Sequence, residues 1–270
     1  MNTTSPRGAP LLAVDAVTVA FGGLVAVDDA AFVANAGEIT AVIGPNGAGK
    51  TTLLNVVSGF LRPDSGSIRF GGLDITGVAP DRIAQLGVSR TFQNVEIVPE
   101  LTTAENVLVA CRTPRHVPRR ARRGHAAARV LAVLDQLGLA AHADVLAGDL
   151  SYGAAKLVAL ARLVVGDAAL LLLDEPGAGL PAGQLAELGE TLSRLAAEHG
   201  RTVVLIDHNM QLVLRYADRV VVMHHGRVMA TGTPAEIRAD PAVIDVYLGR
   251  VAPPEPVATP ARVGSTRAGA

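Results

Sequence analysis

The segment GPNGAGKTT, from Gly44 to Thr52, constrains the fold of this chain more than any other. It matches G-x-x-x-x-G-K-[ST] and separates a strand-like run, EITAVI, from helical apolar spacing at Leu53, Leu54 and Val57. In that setting glycines let successive backbone N–H groups turn toward phosphate oxygens, and the helix start adds positive partial charge. We therefore predict a phosphate-binding loop of Gly44, Pro45, Asn46, Gly47, Ala48, Gly49, Lys50, Thr51 and Thr52.

Side chains in and beyond this loop are suited to nucleotide chemistry. Lys50 can reach the β- and γ-phosphates of a nucleotide, and Thr51 offers a hydroxyl to Mg²⁺. Far downstream, the apolar run 170–173 ends at Asp174 and Glu175. Adjacent residues of a strand face opposite ways, so these two carboxylates can take different roles. We predict that Asp174 binds Mg²⁺ and that Glu175 polarises the attacking water.

The order of segments predicts an α/β fold. Residues 11–43 favour strands, of which AAFVA is a short one, and residues 126–137 and 151–165 favour helices. From residue 168 strands alternate with helices, and one of these helices is predicted from about residue 185 to 198. Such alternation is typical of a parallel sheet covered by helices. We predict one domain over 11–250, with a helical subdomain at about 93–165, a C-terminal helical extension at about 233–249, and a disordered tail at 251–270.

Helix starts are marked by capping signals. Thr102 with Glu105, and Thr233 with Glu236, have the spacing of capping boxes. Asp240 before a proline predicts another helix start.

Composition excludes several functional classes. With 24 Lys plus Arg against 25 Asp plus Glu, the formal net charge is −1, which disfavours general nucleic-acid binding. Cys111 has no partner for an intrachain disulfide. We expect no secretory signal, because the start MNTTSPRGAPLLAVDAV lacks a basic n-region followed by an apolar core. We expect no membrane span, because no apolar run approaches about 20 residues.

Five motifs in order resemble those of the ATP-binding subunits of ABC transporters: the glycine loop, TFQN, LSYG, LLLLDEP, and a histidine after a strand. The resemblance implies that Gln93 of TFQN joins the catalytic and Mg²⁺ site and senses both the γ-phosphate and the membrane partner. It also implies that Ser151 and Gly153 contact the ATP held by an opposite subunit, that His208 contacts the γ-phosphate, and that Phe21 stacks on adenine.

The resemblance implies an ABC-type P-loop ATPase with a mainly parallel core sheet, an N-terminal antiparallel β-subdomain and a helical subdomain. ATP and Mg²⁺ are the implied cofactors. The implied partners are a second ATPase subunit, in a homodimer or heterodimer, transmembrane permease subunits and, indirectly, a substrate-binding protein. Such a subunit lies at the cytoplasmic face of the cell membrane.

Independently, a helix beginning after Ser151 offers an anion site with no ligand from its own chain, which a second subunit can supply.

Segments such as SRTFQNVEIVPELTTAENVLVA and GTPAEIRADPAVIDVYLG resemble the branched-chain amino-acid branch, from about Leu11 to Gly249. Importers of urea, amides and other amino acids use near relatives, so the solute stays open. Three further alternatives are an ABC ATPase acting on ribosomes or DNA, an exporter or lipid-extraction ATPase, and a regulatory subunit without turnover.

Some positions depart from the family pattern. Ala154, Ala155 and Lys156 stand where the family usually has two polar residues and then Arg, and Pro181 stands where it usually has Asn or Asp. We therefore predict weak closure between two subunits. The Arg-rich segment 112–123 predicts a solvated loop, with attraction to anionic lipid as the alternative. The pair HH before Gly226 predicts a hairpin turn.

Overall fold

The computed structural model describes residues 9–91, 97–111 and 121–248. Gln93, most of the Arg-rich segment and the predicted tail lie outside these residues. The strands are β1 (Pro10–Phe21), β2 (Leu24–Asn35), β3 (Ile39–Ile43), β4 (Ser65–Phe70), β5 (Leu73–Asp74), β6 (Val88–Arg90), β7 (Leu170–Asp174), β8 (Thr202–Ile206), β9 (Arg219–His224) and β10 (Arg227–Gly232).

Helices cover the sheets that these strands form. They are α1 (Lys50–Val57), α2 (Pro80–Leu86), α3 (Thr103–Ala110), α4 (Arg122–Gln136), α5 (Tyr152–Val164), α6 (Ala182–Ala197), α7 (Met210–Tyr216), α8 (Pro234–Ala239) and α9 (Pro241–Leu248). The stretch between β6 and β7 contributes α3, α4 and α5. Within the described ranges, no helix is long and apolar enough to cross a membrane.

The larger sheet has the strand order β10-β9-β3-β8-β7-β6. Strands β9, β3, β8, β7 and β6 pair in parallel, and β10 pairs antiparallel with β9. The carboxyl ends of parallel strands meet at one edge, so this topology brings the glycine loop after β3, Asp174 and Asp207 together. The predicted α/β class with a mainly parallel core sheet is confirmed.

The smaller sheet is antiparallel and has the order β2-β1-β4-β5. Strand β2 is longer than the short AAFVA run that its apolar pattern predicts, because register shifts break the alternation. Ala16 and Asp29 have positive φ values of 48° and 52° in this sheet. Such irregularities let long strands bend and twist around a core while their side-chain pattern becomes uneven.

The core consists of two apolar layers on opposite faces of the larger sheet. Leu171 and Leu173 of β7 join the layer with α4, α5 and α6, whereas Leu170 and Leu172 join the layer with α1 and the smaller sheet. Strands β3 and β8 show the same alternation. Burial on both faces explains why these strands have continuous apolar sequences.

Two helices begin earlier than the apolar spacing predicts. Helix α4 begins at Arg122 rather than at 126, because its first turn has no apolar periodicity to mark it. Helix α6 begins at Ala182 rather than at 185, because Pro181 is its N-cap residue and the Pro181 carbonyl accepts a hydrogen bond from the Leu185 amide. Both predicted capping boxes are present, at Thr102 and Thr233.

Candidate active site

A cleft of about 390 Å³ lies at the carboxyl edge of the larger sheet. Its walls come from the β1–β2 hairpin, the glycine loop, the end of β7 and the β9–β10 turn. The lining residues are Leu24, Val25, Ala26, Asn46, Gly47, Ala48, Gly49, Lys50, Thr51, Thr52, Glu175, His225 and Gly226. The structure thus places seven predicted loop residues and Glu175 around one cavity.

Backbone contacts hold the glycine loop in place. Gly49, at the N-cap of α1, has a φ of 95°, and a Cβ there would collide with the Ala26 carbonyl oxygen. A Cβ at Gly44 would likewise collide with the Met223 carbonyl oxygen. On the other side, the Gly226 amide donates to the Ala48 carbonyl at 3.1 Å. The loop is therefore fitted between the smaller sheet and the β9–β10 turn with no room for side chains at these glycines.

Lys50 is the cation of the cleft and is only 9% exposed. Its Nζ donates to the carbonyl oxygens of Gly44 at 2.8 Å and Pro45 at 2.9 Å. Burial lowers the pKa of Lys50, and the carboxylates of Glu175 and Asp174 oppose that shift. A buried ammonium surrounded by carbonyls and carboxylates is suited to receive the charge of a phosphate group.

Asp174 is 4% exposed and forms a buried ion pair with Arg90. Its Oδ2 lies 3.2 Å from the Arg90 guanidinium, which also donates to Asn55 Oδ1 at 2.6 Å and Ser58 Oγ at 2.9 Å. Burial raises the pKa of Asp174, and Arg90 opposes the shift. Among the residues described, the buried Oδ1 has no hydrogen-bond partner. An unpaired carboxylate oxygen on a side chain that interacts electrostatically with Lys50 fits the oxygen ligands that Mg²⁺ prefers.

Glu175 and His208 lie close together, at the ends of β7 and β8. Glu175 Oε1 is 3.8 Å from His208 Nδ1, and the His208 side chain is 65% exposed. Glu175 has a left-handed φ of 50°, and its amide donates to the Ile206 carbonyl at 2.8 Å. This left-handed conformation turns the main chain away from the sheet at Glu175, which lines the cleft.

Other predicted site residues lie elsewhere. Ser151 is the N-cap of α5 and accepts a hydrogen bond from the Ala154 amide. Ser151 and Gly153 line a separate recess of about 190 Å³, together with Gln184. Phe21, at the end of β1, is 53% exposed and does not line the cleft, although its pairing partner Leu24 does.

Several residues of this edge were not found by sequence reasoning. Arg90 follows two unremarkable strand residues, so no pattern marked it as the partner of Asp174. The hairpin turn predicted at the pair HH is present. That His225 of this turn lines the cleft follows from the strand order, which the sequence pattern does not show. Lys156 had a detectable signal, because Lys50 and Lys156 are the only lysines of the chain.

A family model described as ABC transporter matches residues 27–178, more than half of the chain. The chain belongs to this family. A second model, described as branched-chain amino acid ATP-binding cassette transporter, matches residues 227–253. The predicted resemblance and the ATP-hydrolysing class are therefore confirmed.

Relatives of known name cover nearly the whole cassette. The chain is 40% identical over 253 residues to the high-affinity branched-chain amino acid transport ATP-binding protein LivG of Escherichia coli (strain K12), and the match covers 89% of this chain and 98% of LivG. It is 39% identical over 255 residues to the corresponding protein BraF of Pseudomonas aeruginosa, with the same coverage of both chains.

Solved structures of ABC transporter cassettes share the fold. A nucleotide-free cassette has a TM-score of 0.78 at 31% identity, covering 88% of this chain and 98% of that chain. A cassette in its ADP conformation has a TM-score of 0.80 at 32% identity, covering 89% of this chain and 99% of that chain.

Proposed function

We propose that this chain is the ATP-hydrolysing subunit of an importer for branched-chain amino acids and drives a separate membrane permease. The observation that carries the proposal is the cleft in which Lys50, Thr51 and Glu175 meet. The C-terminal match at residues 227–253 and the names of the relatives support the branched-chain solute class.

The charged and polar side chains at the cleft and at the adjoining strand ends have distinct roles in this proposal. The loop amides and Lys50 bind the phosphates, and Thr51 and Asp174 Oδ1 hold Mg²⁺. When bound, Mg²⁺ neutralises charge on the phosphate oxygens. Glu175 orients the attacking water and accepts its proton, and His208, 3.8 Å away, contacts the γ-phosphate.

The recess at the start of α5 supports a site shared between two subunits. Ser151 and Gly153 do not line the cleft of their own chain, so the α5 N-terminus is available to the ATP of a second cassette. Two-fold, head-to-tail pairing of identical or related cassettes then creates two equivalent sites. Gln93 contacts the permease at the cytoplasmic face of the membrane, and a substrate-binding protein delivers the solute to the permease.

Binding of a fluorescent ATP analogue to Lys50→Ala tests the nucleotide site. The variant loses a charged donor to the phosphates, so we expect binding to fall below detection while the circular dichroism spectrum is retained. The matched control is Arg69→Ala, which removes an exposed cation of β4 that does not line the cleft. A folded Lys50→Ala protein with unchanged affinity contradicts the assignment.

Glu175→Gln tests the catalytic role. The amide keeps the shape of the side chain but cannot accept a proton, so ATP binds and hydrolysis stalls. Hydrolysis at the wild-type rate would assign the base to another residue.

To test the solute, the tagged chain is co-purified with its permease, reconstituted with the binding protein, and assayed with labelled leucine or urea. ATP-dependent uptake of urea rather than leucine refutes the branched-chain proposal.

A further inference from the structure

Lysine is rare in this chain, and both lysines have the same kind of environment. Among its 24 Lys and Arg residues, only Lys50 and Lys156 are lysines. Like Lys50, Lys156 directs its ammonium to main-chain carbonyl oxygens. Because arginine supplies nearly all other cations, these two positions are the places where a compact ammonium is used.

Lys156 joins α5 to the turn that follows β7. Its Nζ donates to the carbonyl oxygens of Ala178 at 2.6 Å, Pro176 at 2.9 Å and Glu175 at 3.4 Å. The three N–H donors of one ammonium thus meet three acceptors of one short segment. Burial lowers the pKa of Lys156, and the charges of Asp207 and Glu175 oppose this shift.

The same turn is held from its other side by the segment that precedes His208. Asp207 is fully buried, and its Oδ2 accepts a hydrogen bond from the Gly177 amide at 2.8 Å. The Glu175 amide donates to the Ile206 carbonyl. The N–H groups of the turn are therefore bonded to the end of β8 and to Asp207, the residue after it. Its carbonyl groups are bonded to Lys156 of α5.

This arrangement matters for Glu175 because its backbone conformation is unfavourable on its own. Glu175 has a left-handed φ of 50°, a region that residues with a Cβ rarely adopt. A non-glycine residue stays in this region only when its surroundings hold it there. The Lys156 contact to the Glu175 carbonyl acts on that residue directly.

We propose that Lys156 is a positioning residue for the reaction: it fixes the Glu175–Ala178 turn and ties the position of the Glu175 carboxylate to helix α5. The same helix begins at Ser151, the residue proposed above to face the ATP of a second subunit. Lys156 thereby connects the helix proposed to engage that phosphate to the turn that carries Glu175. This inference rests on the proposed function for its catalytic consequence, but not for the contact itself.

Hydrogen exchange of the nucleotide-free full chain tests the contact. Lys156→Met keeps the length of the side chain but removes the charge and all three donors, so amides of residues 175–180 exchange at least about tenfold faster. Strand β8, at residues 202–206, serves as the internal reference. Lys156→Arg retains a positive donor group and stays closer to wild type. The matched control is Arg194→Met, which removes a cation from the last turn of α6, where it donates to Thr191 of the same helix, and leaves the exchange of 175–180 unchanged.

Steady-state kinetics test the consequence for catalysis. In Lys156→Met we expect kcat to fall about tenfold, with KM for ATP and the affinity for an ATP analogue within twofold of wild type. Lys156→Arg recovers most of the kcat. A merely structural lysine would instead lower the melting temperature without this split between kcat and KM.

Several results overturn the inference. They are wild-type exchange in Lys156→Met, equal behaviour of Lys156→Arg and Lys156→Met, and faster exchange with an unchanged kcat. Failure of the proposed function is a different result, in which wild-type protein neither binds nor hydrolyses ATP. Because exchange is measured without nucleotide, it tests the contact in either case.

Discussion

Among single residues, the buried pair of Arg90 and Asp174 shows how charge is organised at the catalytic edge. Both side chains are almost completely buried, at 7% and 2% exposure. Arg90 also donates to Asn55 and Ser58, so one guanidinium connects the end of α1 to the end of β7. With Oδ2 engaged by Arg90, Asp174 Oδ1 has no hydrogen-bond partner within the described residues, and it is this oxygen that we propose as a ligand of Mg²⁺.

Replacement of Arg90 by Met tests this pair. It leaves Asp174 as an unpaired buried charge, so we expect the free energy of unfolding in urea to fall by about 3–5 kcal/mol. Adding Asp174→Asn removes the buried charge and recovers part of the loss. Arg69→Met, at an exposed position of β4, is the control and changes stability by no more than about 0.5 kcal/mol. A loss in Arg90→Met no larger than that of the control contradicts this account.

Gly49→Ala tests the fit of the glycine loop. The added Cβ meets the Ala26 carbonyl oxygen at a residue whose φ is 95°, so the loop must shift. We expect at least about tenfold weaker binding of an ATP analogue, which corresponds to about 1.4 kcal/mol. Gly47→Ala is the control: its φ is 79°, but no atom lies near its Cβ. Equal losses in both variants would show that strain in φ, rather than the close contact, is responsible.

At the scale of elements, local capping signals in the sequence correspond to contacts in the structure. The Thr102 side chain accepts from the Glu105 amide, and Glu105 accepts from the Thr102 amide at 2.8 Å. The box at Thr233 and Glu236 forms the same pair of bonds. Where a helix starts without such a signal, as α4 does, its boundary was missed.

Thr102→Ala tests the contribution of a cap. Loss of the side-chain acceptor leaves a helix amide without its partner, so we expect the protein to lose about 1 kcal/mol of stability in urea denaturation. Thr102→Ser retains the hydroxyl and stays near wild type. If Ser is as damaging as Ala, the methyl group rather than the cap supports α3.

At the scale of the whole molecule, the surface proposed to meet a second subunit lacks polar side chains at three of the positions that depart from the family pattern. Ala154 lines the recess beside Ser151, and Pro181 caps α6 without a side-chain hydrogen bond. Ala155 is 7% exposed, so a glutamine there would bury an amide within the core. Of the two alanines, only Ala154 can therefore take a glutamine that would restore a hydrogen-bonding side chain.

This surface predicts weak association of isolated cassettes. We expect Glu175→Gln protein with ATP and Mg²⁺ to sediment mainly as a monomer at low micromolar concentration, because each missing hydrogen bond forfeits about 0.5–1.5 kcal/mol. Adding Ala154→Gln supplies a hydrogen-bonding side chain beside Ser151 and increases the dimer fraction. The control is Gly183→Ala, a position on α6 where an added Cβ meets no atom, and it leaves the dimer fraction unchanged. Complete dimerisation of the unrestored protein would refute the prediction.

Local patterns explain why much of the fold was predictable. The glycine loop, the continuous apolar runs of β3, β7 and β8, and the capping boxes each depend on residues close together in the chain. The predicted length of β2 was wrong, because the bulged pairing of β1 and β2 interrupts the alternation of apolar and polar residues on which strand prediction depends. The roles of all the predicted site residues stay predictions: Phe21, the glycine loop at 44–52, Gln93, Ser151, Gly153, Asp174, Glu175 and His208.

The sequence by itself determined the glycine loop, which follows from spacing within one short segment, and the family and the α/β class, which follow from the order of such segments along the chain. Only the tertiary structure decided that Arg90 pairs with Asp174 across 84 positions of chain, that the β9–β10 turn closes the cleft, and that Lys156 bonds to the turn after Glu175. These contacts join side chains to partners on other elements. Their geometry depends on strand order and helix packing, which no local pattern of residues encodes.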